Sequence, residues 1–276
     1  MKVQLFLLTF VLPVFLFSQR VTINRISESR STADSYFGNR TELEAQVSGD
    51  EVRRYKLARI SKISKAVDDQ GFDLIGEETS TRYEEISGNT VVLSIKLDNA
   101  SRKAETIKEI SGTLSLFSPT EANGGIVKIK NFGTQTNKNL LPKEKDLSVV
   151  YLTKESYEKF INDQKSKREA ELKKQPKEIQ ELAKGLVGLM DAFTYNDWSY
   201  PQVNLMITGD ASRIISVSVL TPSGEELTSN GNSYSDNLKT YYFNEEIKPS
   251  YTLVLTVEVS SATKVVPFNI KDIVLP

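Results

Sequence analysis

The 276-residue chain carries 35 Lys+Arg against 36 Asp+Glu, 39% apolar residues, no Cys and no His. Without Cys there is no disulfide framework, thiolate nucleophile or Fe–S cluster; without His there is no imidazole acid/base, no Ser–His pair and no His-ligated zinc, copper or haem iron. A formal charge of −1 gives no electrostatic reason for a nucleic-acid partner, and the length exceeds one domain of about 100–200 residues, so two are expected.

The first segment reads as a secretory leader over 1–18. Met1 and Lys2 precede an apolar run that ends at Phe17, with the small Ser18 before the polar Gln19 and Arg20. That run is shorter than the ~20 residues of a membrane span, and Pro13 interrupts it. Cleavage after Ser18 leaves a mature chain without a second stretch of membrane length. A periplasmic or secreted location is therefore expected, and the absence of Cys fits a bacterial envelope product rather than a disulfide-stapled module.

Residues 19–153 are expected to form an N-terminal β-sandwich. Val21, Ile23 and Ile26 open the region; Leu43, Ala45 and Val47 alternate and stop at Ser48, Gly49 and Asp50. The clearest period of two is at Val91, Leu93, Ile95 and Leu97. Further strands are expected over 113–117, 126–130 and 147–152, with turn residues between them.

Residues 154–194 change character, being rich in Glu, Lys, Gln and Ala, which lose little side-chain freedom in a helix. Pro176 divides the stretch, so the expectation is an α-helical hairpin or kinked helix with halves at 154–174 and 177–193. The second half carries an apolar stripe at Ile179, Leu182, Leu186, Leu189, Met190 and Phe193. The first is apolar only at Tyr157, Phe160 and Ile161, and its remainder reads as a solvated face on which Glu169 and Lys173 pair at i,i+4.

Residues 195–276 return to strands over 203–207, 213–220, 240–243 and 251–259, and then to a final strand pair in which Pro267 marks an edge. The fold class expected is mainly β: two antiparallel β-sandwiches, immunoglobulin-like or C2-like, with the helical insert between them. A short repeat links the halves. Lys65 to Leu74 and Ser218 to Leu227 share one plan: an apolar strand, a turn closed by Gly71 or Gly224, and then Leu74 or Leu227. In each half a long alternating strand comes later, at 91–97 and 253–259.

Three groups of residues offer chemistry. Asp68, Asp69 and Asp73, with Glu77 and Glu78 beyond, form the densest acidic cluster; clustered carboxylates suit Ca²⁺, while single aspartates in turns cap backbone N–H groups. Trp198, Tyr200 and Tyr241 could present flat faces to a sugar ring, or else close a seam of the fold. Ser156 and Lys159 fit a Ser-x-x-Lys pattern, but the Ser-Asp-Asn and Lys-Thr-Gly elements of that chemistry are missing. No carboxylate pair is singled out for acid/base work. The expectation is a non-catalytic, exported binding or scaffold protein that meets a protein partner of the cell envelope through its sandwich loops and helical insert, without nucleic acid and with no cofactor unless it is Ca²⁺. A carbohydrate-binding module using the aromatic patch and a carboxylate-dependent hydrolase are the alternatives.

Overall fold

The computed structural model describes residues 19–31, 39–76, 80–174, 176, 200–235 and 237–276. The expected leader, the second helix over 177–193 and Trp198 lie outside them. The first seven strands are β1 (Gln19–Ser29), β2 (Arg40–Gly49), β3 (Leu57–Asp68), β4 (Glu84–Glu85), β5 (Thr90–Leu97), β6 (Thr106–Phe117) and β7 (Ile126–Ile129). After β8 (Leu147–Leu152) comes the 19-residue helix α1 (Lys154–Leu172). There follow β9 (Gln202–Gly209), β10 (Ile214–Leu220), β11 (Ser229–Ser235), β12 (Leu238–Phe243), β13 (Thr252–Val257) and β14 (Thr263–Val274).

The protein is mainly β, with four small antiparallel sheets ordered β1-β2-β5, β14-β6-β3-β4, β10-β13-β7 and β11-β12-β9-β8. Contacts divide the chain into two compact units. One runs to Ser118 and takes up again from Ser260 to Pro276; the other is Pro119–Val259. The C-terminal segment, expected in the second sandwich as a strand pair, is instead one strand, β14, paired along β6 in the first unit. Pro267 does sit on an edge strand, where its missing N–H costs no ladder bond.

In the first unit the inward residues of both sheets meet in one apolar core: Leu43, Ala45 and Val47 of β2 and Leu93 and Ile95 of β5, with Ala58 and Ile60 of β3, Ile107, Ile110 and Leu114 of β6, and Val266 and Phe268 of β14. Strand β5 keeps the period of two, with Val91, Leu93, Ile95 and Leu97 buried. Strand β3 does not. Its buried apolar positions are Ala58, Ile60, Ile63 and Ala66, because bulges between Ile60 and Lys62 and between Ile63 and Lys65 each slip the phase. That slip hides most of the strand from a test for alternation.

The second unit has its own core, in which Phe132, Leu147 and Val149 pack with Val203, Leu205 and Ile207 of β9, Val217 and Val219 of β10, Phe243 of β12, and Leu253 and Leu255 of β13. Arg213 fastens this unit's surface: its Nη1 donates to Asp146 at 2.8 Å, its Nε to the Glu258 carbonyl at 3.1 Å, and its Nη2 to Glu144. Helix α1 begins at Thr153, whose Oγ1 accepts from Ser156 N–H at 3.2 Å. Tyr157 and Phe160 pack with Leu152 and Leu238. Beyond Phe160 nearly every described side chain of the helix is exposed, as the polar run there implies. No helix among the described residues is long and apolar enough to cross a membrane.

Candidate functional site

The acidic turn after β3 is built on Asp68, which is fully buried. Its Oδ1 accepts from the N–H groups of Gln70 (3.0 Å) and Phe72 (2.8 Å), and its Oδ2 from Ser101 N–H (2.9 Å). Two of these bonds close the turn; the third reaches a different loop. Asp69 works on the far end of that same loop, its Oδ2 accepting from Glu105 N–H (3.0 Å) and Thr106 N–H (3.2 Å). The Glu105 N–H is foremost in holding the Asp69 carboxyl below its usual range, with Gln70 and Thr106 adding to it. Asp73 accepts from Ile75 N–H at 3.0 Å. Each of the three carboxylates thus accepts from at least one backbone N–H, and Asp69 Oδ1 also accepts from Gln70 Nε2 at 3.1 Å. Among the described residues no group of three or more Asp or Glu is placed to hold a metal ion. In this structure Asp68, Asp69 and Asp73 act as caps and clamps on the backbone, while Glu77 and Glu78 of the expected acidic cluster lie outside the described residues.

The loop they clamp, between β5 and β6, forms one wall of a cavity of about 270 Å³ lined by Arg30, Ser31, Asn39, Asn99 and Arg102. Arg30 and Ser31, after β1, and Asn39, before β2, complete the lining. Asn99 reaches both strands: its Nδ2 donates to the Ser29 carbonyl at 2.7 Å, and its Oδ1 accepts from Thr41 Oγ1 at 3.0 Å. Asn39 Oδ1 accepts from Ser31 N–H at 2.6 Å. Arg30 Nη2 donates to Glu28 Oε1 at 2.5 Å and to the Ala100 carbonyl at 2.8 Å. Arg102 is exposed. Among the described residues, two guanidinium groups against one carboxylate leave an excess positive charge over the hollow. Guanidinium forks match carboxylates and phosphates bidentately, so an anionic group is the ligand class that the lining suits.

Of the expected aromatic group, only Tyr200 and Tyr241 are among the described residues, and they differ in exposure. Tyr241 is a core residue of the second unit, and burial pushes its phenol pKa up. Tyr200 is exposed, just before β9. Asn204 on β9 is buried, and its Oδ1 accepts from Thr240 Oγ1 at 2.8 Å. None of the pocket residues stands out in the sequence. Arg30 lies far along the chain from Asn99 and Arg102, and the pairing of β1 with β2 and of β2 with β5 brings the two stretches together. Asp68 and Asp69 were the visible signal, and they mark the support of the pocket rather than its lining. Comparison of the chain with family models, with curated proteins and with solved structures gives no match.

Proposed function

We propose that this is an exported, non-catalytic binding protein of the bacterial envelope or secreted fraction, whose first unit holds an acidic group of a protein partner between Arg30 and Arg102. The observation that carries this reading is the positive pocket whose loop is held at its middle by Asp68 and at its far end by Asp69. A pocket pre-organised in this way loses less freedom when it binds than a loose loop would. An acidic protein surface also fits the expected location better than nucleic acid does. Burial of Tyr241 in the core takes one of the three expected rings out of the sugar reading.

We also infer that each unit is a β-sandwich of immunoglobulin-like order. In support, the inward faces of both sheets contribute to one core in each unit. In the first unit the first, second and fifth strands share one sheet, and the third and sixth share the other. The loops that line the pocket are then end loops of a sandwich, a usual place for recognition.

The test is binding of a fluorescent Asp/Glu hexapeptide, with its Asn/Gln counterpart as control, followed by anisotropy. The acidic peptide should bind more tightly than the control and weaken as salt rises. Arg102→Gln should weaken it about tenfold, the loss of one charge-assisted contact of about 1.4 kcal/mol. Equal binding by Arg102→Gln, or no preference for the acidic peptide, overturns the reading.

A further inference from the structure

The fourteen strands among the described residues fall into two series of seven in chain order, and both series build the same framework. In the first, β1-β2-β5 form one sheet and β6-β3 the centre of the other; in the second, β8-β9-β12 and β13-β10 occupy the same ordinal places. Only the fourth strand of each series differs: β4 joins its third strand, and β11 joins its fifth. The seventh strands are where the chain departs from a simple tandem. Strand β7 follows β6 in the chain yet pairs with β13; β14 follows β13 yet pairs with β6. We propose that the two units are copies of one seven-stranded module that have exchanged their seventh strands within a single chain, each copy closing the other.

A separate observation supports the copying. The turn after the third strand has the same geometry in both series. Gly71 has φ of 87° and Gly224 of 90°, both in the region that glycine tolerates best. Val67 bridges Asp73, and Leu220 bridges Glu226. Asp68 N–H donates to the Phe72 carbonyl (3.1 Å) where Thr221 N–H donates to the Glu225 carbonyl (2.8 Å). Leu74 N–H returns to Ala66 (2.8 Å) as Leu227 N–H returns to Val219 (2.9 Å). Even the capping acceptor is kept: Asp68 Oδ1 takes the Phe72 N–H and Thr221 Oγ1 takes the Glu225 N–H, at 2.8 and 3.1 Å. These equivalences fall on β3 and β10, the third strand of each series. By contrast the two long strands at 91–97 and 253–259 are not counterparts, since β5 is a fifth strand and β13 a sixth.

Strand lengths give the exchange a physical reason. The twelve-residue β6 meets the twelve-residue β14, whereas the four-residue β7 would leave most of that edge bare. A long unpaired edge exposes ladder groups to association with other chains. Strand β14 also delivers Val266, Phe268 and Ile273 to the first core. At the crossing of β3, β6 and β14, a Cβ on Gly112 would lie 3.0 Å from Phe268 Cε1, so the bare glycine admits that ring.

The absence of native Cys makes disulfide trapping clean. Strand pairing and turn geometry, not the pocket, carry the exchange, so loss of peptide binding would leave it standing. Two double variants of the mature full chain are needed: Ser111→Cys with Asn269→Cys across β6 and β14, and Lys128→Cys with Val254→Cys across β7 and β13; both are register partners. Directly opposed strand residues lie within disulfide reach. Both variants should close a bond inside the monomer, read as a 2 Da mass loss and a faster-migrating band without reductant. Failure of either bond to form, in protein whose circular dichroism matches wild type, overturns the proposal; so do covalent dimers, which would place the exchange between chains. As a second readout, Phe268→Ala should speed hydrogen exchange in β3 and β6 peptides about tenfold and leave β9 and β13 unchanged. The reverse pattern would mean that β14 closes the second unit.

Discussion

Asp68→Ala removes the acceptor for three backbone N–H groups at a fully buried position. A hydrogen bond to a charged group contributes about 1.5–3 kcal/mol, and a stranded donor recovers part of that loss where water can reach it. The three partners are only part-buried, so the expected total is about 3–5 kcal/mol rather than the full sum. At roughly 3 °C per kcal/mol this lowers the melting midpoint of the first unit by about 10 °C. Asp68→Asn separates the two roles of the carboxylate. Its amide oxygen still accepts from Gln70 and Phe72, while its NH2 faces the Ser101 N–H, so only the tie to the pocket loop is lost. The cost should fall to about 1–3 kcal/mol, with acidic-peptide binding reduced out of proportion to stability. Differential scanning calorimetry of both variants, with and without chelator, distinguishes a clamp from a cation ligand. A midpoint shift below about 3 °C for Asp68→Ala would refute the clamp, and a wild-type midpoint that falls on adding chelator would restore the Ca²⁺ reading.

The other expectations follow from local geometry. Gly112→Ala would put a Cβ 2.1 Å from the Lys62 carbonyl oxygen, and a backbone atom in a three-strand crossing cannot step aside; a loss of about 3 kcal/mol is expected by urea denaturation. Arg213→Lys replaces a fork that serves Glu144, Asp146 and the Glu258 carbonyl with a single ammonium. Asp146 is largely exposed, which limits the loss to about 1–2 kcal/mol in the second unit, measured in the same way. With pH, the two units should fail at opposite ends. Lys264 bonds Glu51, Lys65 and Asn269 bond Glu109, and the Glu105 N–H bonds Asp69, each lowering the folded carboxyl pKa in the first unit. Their stabilisation is present above the unfolded values and is lost as pH falls through the folded ones, below about pH 4. Burial raises the folded pKa of Tyr151 and Tyr241 in the second unit, so stability there falls as pH rises above about 10. Hydrogen exchange resolved by unit checks this: acid protection loss in β9 before β3 would contradict it.

How much of this could be read in advance depends on whether the signal was local. Strands β2 and β5, with one buried face and unbroken alternation, stand out in the sequence; so does the start of α1, with Thr153 before a run of good helix formers. Strand β3 is obscured by its bulges, and β11, Ser-Asn-Gly-Asn-Ser-Tyr-Ser, has no apolar period because it is an exposed sheet edge. The destination of β14 was out of reach. Its alternation announces a strand, but pairing with β6 rather than β13 depends on the length of an edge far away in the chain. The pocket was hidden for the same reason, since an arginine in a loop carries no mark of what another loop will bring beside it. Asp68 and Asp69 showed as a cluster, yet a carboxylate bound to backbone N–H looks identical in sequence to one waiting for a cation.

The repeated turn connects these threads, because its two copies differ in what their caps can reach. Thr221 offers one short hydroxyl, and its partners, Ser223 Oγ and Glu225 N–H, lie within its own turn. Asp68 stands at the equivalent place with two oxygens, closes the same turn with one and holds Ser101 with the other. Asp69, where the other copy has Pro222, fixes the far end of the same loop. A common hairpin thus becomes a bracket in one copy only, and that copy has the pocket with Arg30 and Arg102. If the carboxylates served the turn alone, Asp68→Thr would be tolerated as Thr221 is, and acidic-peptide binding would persist. If they serve the loop, the turn survives that change and binding does not.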